Sequence, residues 1–205
     1  MKIKLTNVGK RFNREWIFRA VNYEFASGKS YAVTGSNGSG KSTLLQIIAG
    51  ATLFNEGEIH YQSDDKKIVS EKVYANISIA APYLDLVEEM TLTEFLKFHA
   101  SLKKWLPGLT TTQIISIINL DDAAQKQIRY FSSGMKQRVK LAQAIFSDCA
   151  VVLLDEPCTN LDEDGIHLYK DLINNYCNTR LLIISSNDKQ EYDFCNEVIK
   201  MNNYK

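Results

Sequence analysis

Between residues 35 and 43 the chain reads Gly-Ser-Asn-Gly-Ser-Gly-Lys-Ser-Thr, a match to G-x-x-x-x-G-K-[ST]. The pattern carries weight only where an apolar strand leads into it and a helix leads out. Both conditions are met. Tyr31 to Thr34 follows a Ser27-Gly28 turn and reads as a strand, and helical spacing runs from about Lys41 to Ala49 before Gly50. Glycines let backbone amides approach phosphate oxygens closely, and a helix amino terminus adds a favourable dipole. Gly35, Ser36, Asn37, Gly38, Ser39, Gly40, Lys41, Ser42 and Thr43 are therefore the candidate nucleotide-binding residues. Lys41 would bring a positive charge to the β- and γ-phosphates, and the Ser42 hydroxyl can ligate magnesium. A glycine-rich turn beside an unrelated lysine is the plainer alternative, but it leaves the strand–loop–helix context without a reason. The loop points to a nucleoside triphosphate and leaves the kind of P-loop protein open.

The remaining pattern fits a strand-and-helix domain around that loop. Ile3 to Val8, Ala20 to Phe25, Gly57 to Tyr61 and Ala75 to Ala80 read as further strands. From Thr91 the spacing turns helical. Thr93 is the expected cap of a helix carrying Phe95, Leu96, Phe98 and Leu102, and a second helix is expected over Thr111 to Ile118. Pro107-Gly108 separates the two, and a third helix should follow Gly134 and reach about Phe146. Val151 to Leu154 and Leu181 to Ile184 are short and wholly apolar, as buried parallel strands are. The expectation is one α/β domain over 1–205 with a helical insertion at roughly 83–147. A last strand is expected at Val198 to Met201, and no further regulatory domain after it.

Composition removes several function classes. Lysine plus arginine (24) equals aspartate plus glutamate (24), so no net field draws the chain to nucleic acid or an anionic membrane. Lys136, Arg138 and Lys140 crowd one helix, and a solvated helix face explains them as well as a basic patch does. Cys149, Cys158, Cys177 and Cys195 form no C-x-x-C pair and read as reduced thiols, and His60, His99 and His167 are too scattered for a metal cluster. The amino terminus lacks an apolar stretch of signal-peptide length, and no apolar run approaches 18 residues. A membrane role would therefore need a separate membrane-spanning chain.

Two acids close the apolar run Val151-Val152-Leu153-Leu154-Asp155-Glu156. Ligands of open α/β sheets gather at the carboxyl ends of strands. Asp155 suits a second magnesium contact beside Ser42, and Glu156, one residue further, can reach an attacking water as general base.

The run Phe131-Ser132-Ser133-Gly134-Met135, continuing KQRVKLAQAI, resembles the signature of the ABC (ATP-binding cassette) superfamily, LSGGQ followed by a helix. The resemblance covers essentially the whole chain in the right order: P-loop, helical insertion, signature, Asp-Glu. It implies a P-loop NTPase core of the ABC type, with antiparallel strands at the amino terminus and an inserted helical subdomain. It also implies that Ser132, Ser133 and Gly134 bind the γ-phosphate of an ATP held by a second cassette. Small residues and amides at a helix amino terminus give that role a physical basis. Pro157-Cys158-Thr159-Asn160-Leu161-Asp162 resembles the D-loop, and Phe12 stands where the family places an aromatic against adenine, with Trp16 as a rival.

Two family residues are absent. The Q-loop glutamine falls near Pro82, which has neither a side-chain oxygen nor an amide proton. The switch histidine is replaced within Ser186-Asn187-Asp188, where Asn187 can hydrogen-bond a γ-phosphate but cannot become a cation. The resemblance thus implies an ATP-binding, magnesium-dependent ATPase with Lys41, Glu156 and Asn187 at the reacting phosphate, slower than an intact cassette. Its partners would be a second cassette, identical or not, and an integral membrane permease, which would hold the cytoplasmic chain at the membrane. A degenerate cassette acting as an ATP-gated regulatory module is the alternative. Soluble ABC proteins of translation or repair, and small-molecule kinases, fit the length or the signature less well.

Overall fold

The computed structural model describes residues 1–63 and 66–205. Numbered in chain order, an antiparallel sheet contains β1 (Lys2–Phe12), β2 (Glu15–Ala26), β4 (Glu56–Ser63) and β5 (Lys66–Ile68), in the order β2-β1-β4-β5. A parallel sheet contains β3 (Ser30–Thr34), β6 (Ile77–Ala80), β7 (Val151–Asp155), β8 (Leu181–Ser185) and β9 (Glu197–Lys200), in the order β6-β7-β8-β3-β9. The helices are α1 (Lys41–Ile48), α2 (Leu92–Leu102), α3 (Thr111–Ile117), α4 (Ser133–Ile145) and α5 (Glu163–Tyr176). Three of them, α2 to α4, lie between β6 and β7 in the chain, where the helical insertion was expected.

The apolar runs of β7 and β8 show why alternation was missing from the sequence. Val151 and Leu153 pack with Leu181 and Ile183 into a core shared with α1 and the antiparallel sheet. Their neighbours Val152, Leu154, Leu182 and Ile184 face a second core built from α2 to α5. Both faces of these strands are buried, so both sets of side chains must be apolar.

Several boundaries move. The two amino-terminal strands are longer than alternation suggested and meet in a tight turn at Asn13-Arg14, where Asn13 takes φ +54°. Ser70–Ala75 winds into a 3-10 helix, so the strand expected from Ala75 starts at Ile77. The strand expected at Val198 to Met201 is β9, and Met201 instead opens a 3-10 turn. Thr93 does not cap α2. Thr91 does, accepting from Glu94 N–H while Glu94 Oε2 accepts from Thr91 N–H at 2.9 Å, a reciprocal capping box. The Thr93 hydroxyl donates to Ala124 O at 2.8 Å instead. Phe98 and Leu102 lie on the exposed face of α2. α4 begins at Ser133, with Ser132 as its cap, so Gly134 lies inside the first turn rather than before it. Among the described residues no helix is long and apolar enough to cross a membrane.

Candidate nucleotide site

Strand order sets the site. β3 lies between β8 and β9, so the loop that leaves it at Gly35 emerges beside the carboxyl ends of both, with β7 beyond β8. The loop reaches α1 through Gly40, whose φ of +93° is a left-handed conformation that an L side chain rarely adopts. A Cβ there would also fall 2.6 Å from Ile17 Cγ2, so close packing against β2 demands glycine independently. No side chain caps α1 and its first turn holds no acid, which leaves its leading amides to an incoming anion. Lys41 is buried, and its ammonium donates to Gly35 O at 2.9 Å, folded back across the loop.

Asn37, Gly38, Gly40, Lys41, Ser42, Thr43 and Glu156 line one cavity of about 310 Å³. Its acidic wall is positioned by backbone. Glu156 N–H donates to Ser185 O at 2.8 Å, and Glu156 sits at φ +45°, a strained conformation for a non-glycine residue that turns its exposed side chain out from the sheet. Asp155 is 2% exposed, and its Oδ1 has no hydrogen-bond partner. A buried carboxylate oxygen left unpaired is costly, and a cation is the natural complement. One carboxylate with the Ser42 hydroxyl is a donor set that would hold magnesium together with a bound nucleotide. Among the described residues no cluster of three or more His, Cys, Asp or Glu side chains forms a self-sufficient metal cage.

Asn187 reaches the phosphate loop: its Oδ1 accepts from Gly35 N–H at 3.2 Å and its Nδ2 lies 3.5 Å from Asn37 Oδ1. Asn202, which sequence reasoning missed, is its counterpart, accepting from Ser36 N–H at 3.2 Å. No pattern marks Asn202, because only the fold brings the last residues against the loop. Pro82 carries its missing function no closer: its carbonyl accepts from Lys140 Nζ at 2.8 Å. The neighbouring Tyr83 is half-exposed, with Gln46, one turn along α1 from Ser42, among the groups acting on its phenol. Its phenol is raised above its ordinary pKa by burial first, with the Asp155 charge adding to that.

Phe12 and Trp16 separate clearly. The Trp16 ring is flanked by the guanidinium groups of Arg19 at 4.2 Å and Arg11 at 5.6 Å, whereas Phe12 is 52% exposed with Lys10 Nζ 4.6 Å from its centroid.

A second, larger concavity of about 710 Å³ lies at the signature. Ser132, Ser133, Gly134 and Met135 line it with Arg138, Asn160 and Asp162, and it shares no residue with the first cavity. Ser132 Oγ accepts from Met135 N–H at 3.2 Å, capping α4. A Cβ on Gly134 would approach Asn160 O to 3.0 Å, so a larger residue there would need the D-loop to give by a few tenths of an ångström. The three cations of α4 do not form a solvated face. Lys136 pairs with Glu88, Arg138 with Asp162, and Lys140 with the carbonyls of Ala81 and Pro82. Two deeply buried polar residues, Gln137 and Glu191, also grip the D-loop and carry no sequence signal of their own. Burial pushes the Glu191 carboxyl up, opposed by hydrogen bonds from Ser186 and from Cys158 N–H.

A glycine-rich loop at the end of one parallel strand, with a carboxylate pair at the end of the next strand but one, defines a P-loop nucleotide-binding protein. The sequence matches the ABC transporter family over residues 18–159, and the chain belongs to that family, as one of its ATP-binding cassettes. It is 30% identical over 208 residues to the uncharacterized ABC transporter ATP-binding protein YybJ of Bacillus subtilis, covering 98% of this chain and 92% of that one. It is 31% identical over 164 residues to the cytochrome c biogenesis ATP-binding export protein CcmA of Xylella fastidiosa, covering 80% of this chain and 76% of CcmA. In fold it resembles the ATP-binding cassette MJ0796, solved as a dimer in a post-hydrolysis state with ADP and Pi. That match has a TM-score of 0.80 and 23% identity, over 97% of this chain and 93% of the other.

Proposed function

We propose that this cassette hydrolyses ATP between two cassettes to drive a membrane-spanning permease, to which it binds from the cytoplasm. The observation that carries the reading is the cavity in which Glu156 faces Lys41, Ser42 and Thr43. Lys41 would leave Gly35 O for the β- and γ-phosphates, and the amides of the loop and of α1 would take the remaining oxygens. Ser42 and Asp155 are the residues to hold magnesium, which when bound with the nucleotide neutralises phosphate charge. Glu156 would accept the proton of the attacking water. Asn187 would turn from Gly35 towards the γ-phosphate as a neutral donor, so turnover is slower than in a cassette with a histidine there. Phe12, half-exposed with Lys10 Nζ 4.6 Å from its centroid, would turn its open side to adenine. Ser132, Ser133 and Gly134 would close on the γ-phosphate held by the second cassette, as the dimeric state of MJ0796 makes reasonable for this fold. Residues 1–205 then act as one unit with a helical arm at roughly 83–147, whose exposed Tyr83, Leu84 and Val87 offer the permease an apolar contact.

The test is ATP hydrolysis with and without magnesium by concentrated wild-type protein, Glu156→Gln and Asn187→Ala, with dimerisation followed in parallel. The expected result is magnesium-dependent turnover that falls at least about a hundredfold in Glu156→Gln, while an ATP-bound dimer accumulates. Asn187→Ala should cost less than about tenfold, the worth of one neutral hydrogen bond. Absence of wild-type turnover, alone and with the permease reconstituted, would overturn the reading in favour of a regulatory cassette.

A further inference from the structure

The peptide group between Pro157 and Cys158 is held at both ends by side chains from different elements. Gln137 Nε2, on α4, donates to Pro157 O at 2.7 Å. On the other edge of the same peptide, Cys158 N–H donates to Glu191 Oε1 at 2.6 Å. Gln137 is 3% exposed and Glu191 4% exposed, so neither bond competes with water. Each buried polar side chain must be satisfied where desolvation is costly, and both find their partner on this one peptide.

Each grip leads to a different functional element. Gln137 lies one turn into the helix that opens with Ser132, Ser133 and Gly134. Glu191 closes the 3-10 turn Lys189–Glu191, which Asp188 caps by accepting from Gln190 N–H at 2.9 Å. That turn follows Asn187, which touches the phosphate loop at Gly35. Glu191 is itself anchored, since Tyr169, fully buried on α5, donates its hydroxyl to Glu191 O at 2.7 Å. The gripped peptide follows Glu156 directly, and proline at 157 limits how that residue can turn.

We propose that Gln137 and Glu191 are positioning residues that couple the two half-sites of one protomer through the Pro157–Cys158 peptide. A displacement of Asn187 on meeting its own γ-phosphate reaches the peptide through Glu191. A displacement of Ser132–Gly134 on meeting the partner's nucleotide reaches it through Gln137. Glu156, next to the peptide, is set for reaction only when both agree. The inference rests on the two-cassette reading above, and it adds how one site senses the other.

The experiment uses the Glu156→Gln protein as parent, with Glu191→Ala, Glu191→Gln and Gln137→Met added singly. Methionine keeps the bulk of Gln137 and removes its donor. Glutamine at 191 keeps an acceptor for Cys158 N–H. In Glu191→Ala and Gln137→Met the ATP concentration needed for dimerisation should rise about tenfold, the size of a typical coupling between sites. Binding of a non-hydrolysable ATP analogue to the dilute monomer should stay within about threefold of the parent, since the coupling acts only between sites. Glu191→Gln should dimerise like the parent. With Glu156 restored, hydrolysis in Glu191→Ala and Gln137→Met should lose its cooperativity in ATP, the Hill coefficient falling from about 2 to about 1.

The proposal is overturned if both altered proteins dimerise and cooperate like their parents. It is equally overturned if they unfold or lose monomer affinity, which would make the grip merely structural. A parent that never dimerises with ATP overturns the two-cassette reading itself, a result distinguishable from either.

Discussion

At position 99 the imidazole is fixed on all sides. Gln143 Nε2 donates to its Nδ1 at 2.9 Å, so the ring proton lies on Nε2 and is given to Ser147 Oγ at 2.8 Å, and Ser147 in turn donates to Gln143 O. Trp105 stacks on the ring at 4.9 Å. A second ring proton would have to displace the Gln143 amide. Burial first, and then the Lys103 charge, push the His99 pKa down from 6.5 to about 4. The unfolded chain therefore binds a proton that the folded one refuses between about pH 6.5 and about pH 4. Stability from this residue is full above pH 6.5 and is lost as pH falls through that window, levelling off below pH 4. Thermal melts across pH 4 to 7 should show a steeper loss for wild type than for His99→Gln; parallel curves would refute the assignment. His99 was legible only as a histidine outside any metal pattern. Its partners stand 44 and 48 residues away, and no local spacing announces them.

Among the elements, α4 and α5 end on one shared group. Arg180, just before β8, donates to Tyr176 O from Nε at 2.9 Å and Nη2 at 2.5 Å, to Ile145 O at 2.6 Å and to Ser147 O at 3.1 Å. Tyr176 and Ile145 are the last residues of their helices, so one guanidinium serves carbonyls that would otherwise be buried and unpaired at two helix ends. Arg180→Ala should lower the unfolding free energy by about 3 kcal/mol, because several buried acceptors lose their donor at once. Arg180→Lys should recover less than half of that, since an ammonium cannot span the fork. Urea denaturation measures both, and ATP-analogue binding should not move, as Arg180 lies outside the nucleotide cavity. Helix interiors were legible in the chain because apolar spacing is a local property. Their ends were less so. Thr91 and Thr93 offer the same hydroxyl, and only the Glu94 side chain, three residues from Thr91, distinguishes the true cap. The cations of α4 were misjudged for the same reason, since Glu88, Asp162 and the Ala81–Pro82 carbonyls are brought to them by tertiary packing.

On the scale of the whole molecule, the order of motifs along the chain was readable, while their separation in space was not. The phosphate loop and the Ser132–Gly134 loop line different cavities that share no residue. Under the proposed function, two-fold pairing would join them, because each chain could lend its second loop to the other's first. Complementation tests that arithmetic. Lys41→Ala removes the phosphate-loop cation and leaves the second loop intact. Ser132→Asp preserves a good helix cap and places a carboxylate where a phosphate must come. Each protein alone should hydrolyse almost no ATP, since every composite site then lacks one half. After mixing, random exchange makes half of the dimers mixed, each with one sound site of two, so sites that fire independently would return at most about a quarter of wild-type activity. Recovery that depends on total protein concentration would carry the same meaning, because assembly limits it. A mixture no more active than the mean of its two components, beside an active wild type, would show that the two cavities do not meet across a dimer or, where ATP still assembles the mixed dimer, that one sound site cannot fire alone, as coupling through the Pro157–Cys158 peptide requires.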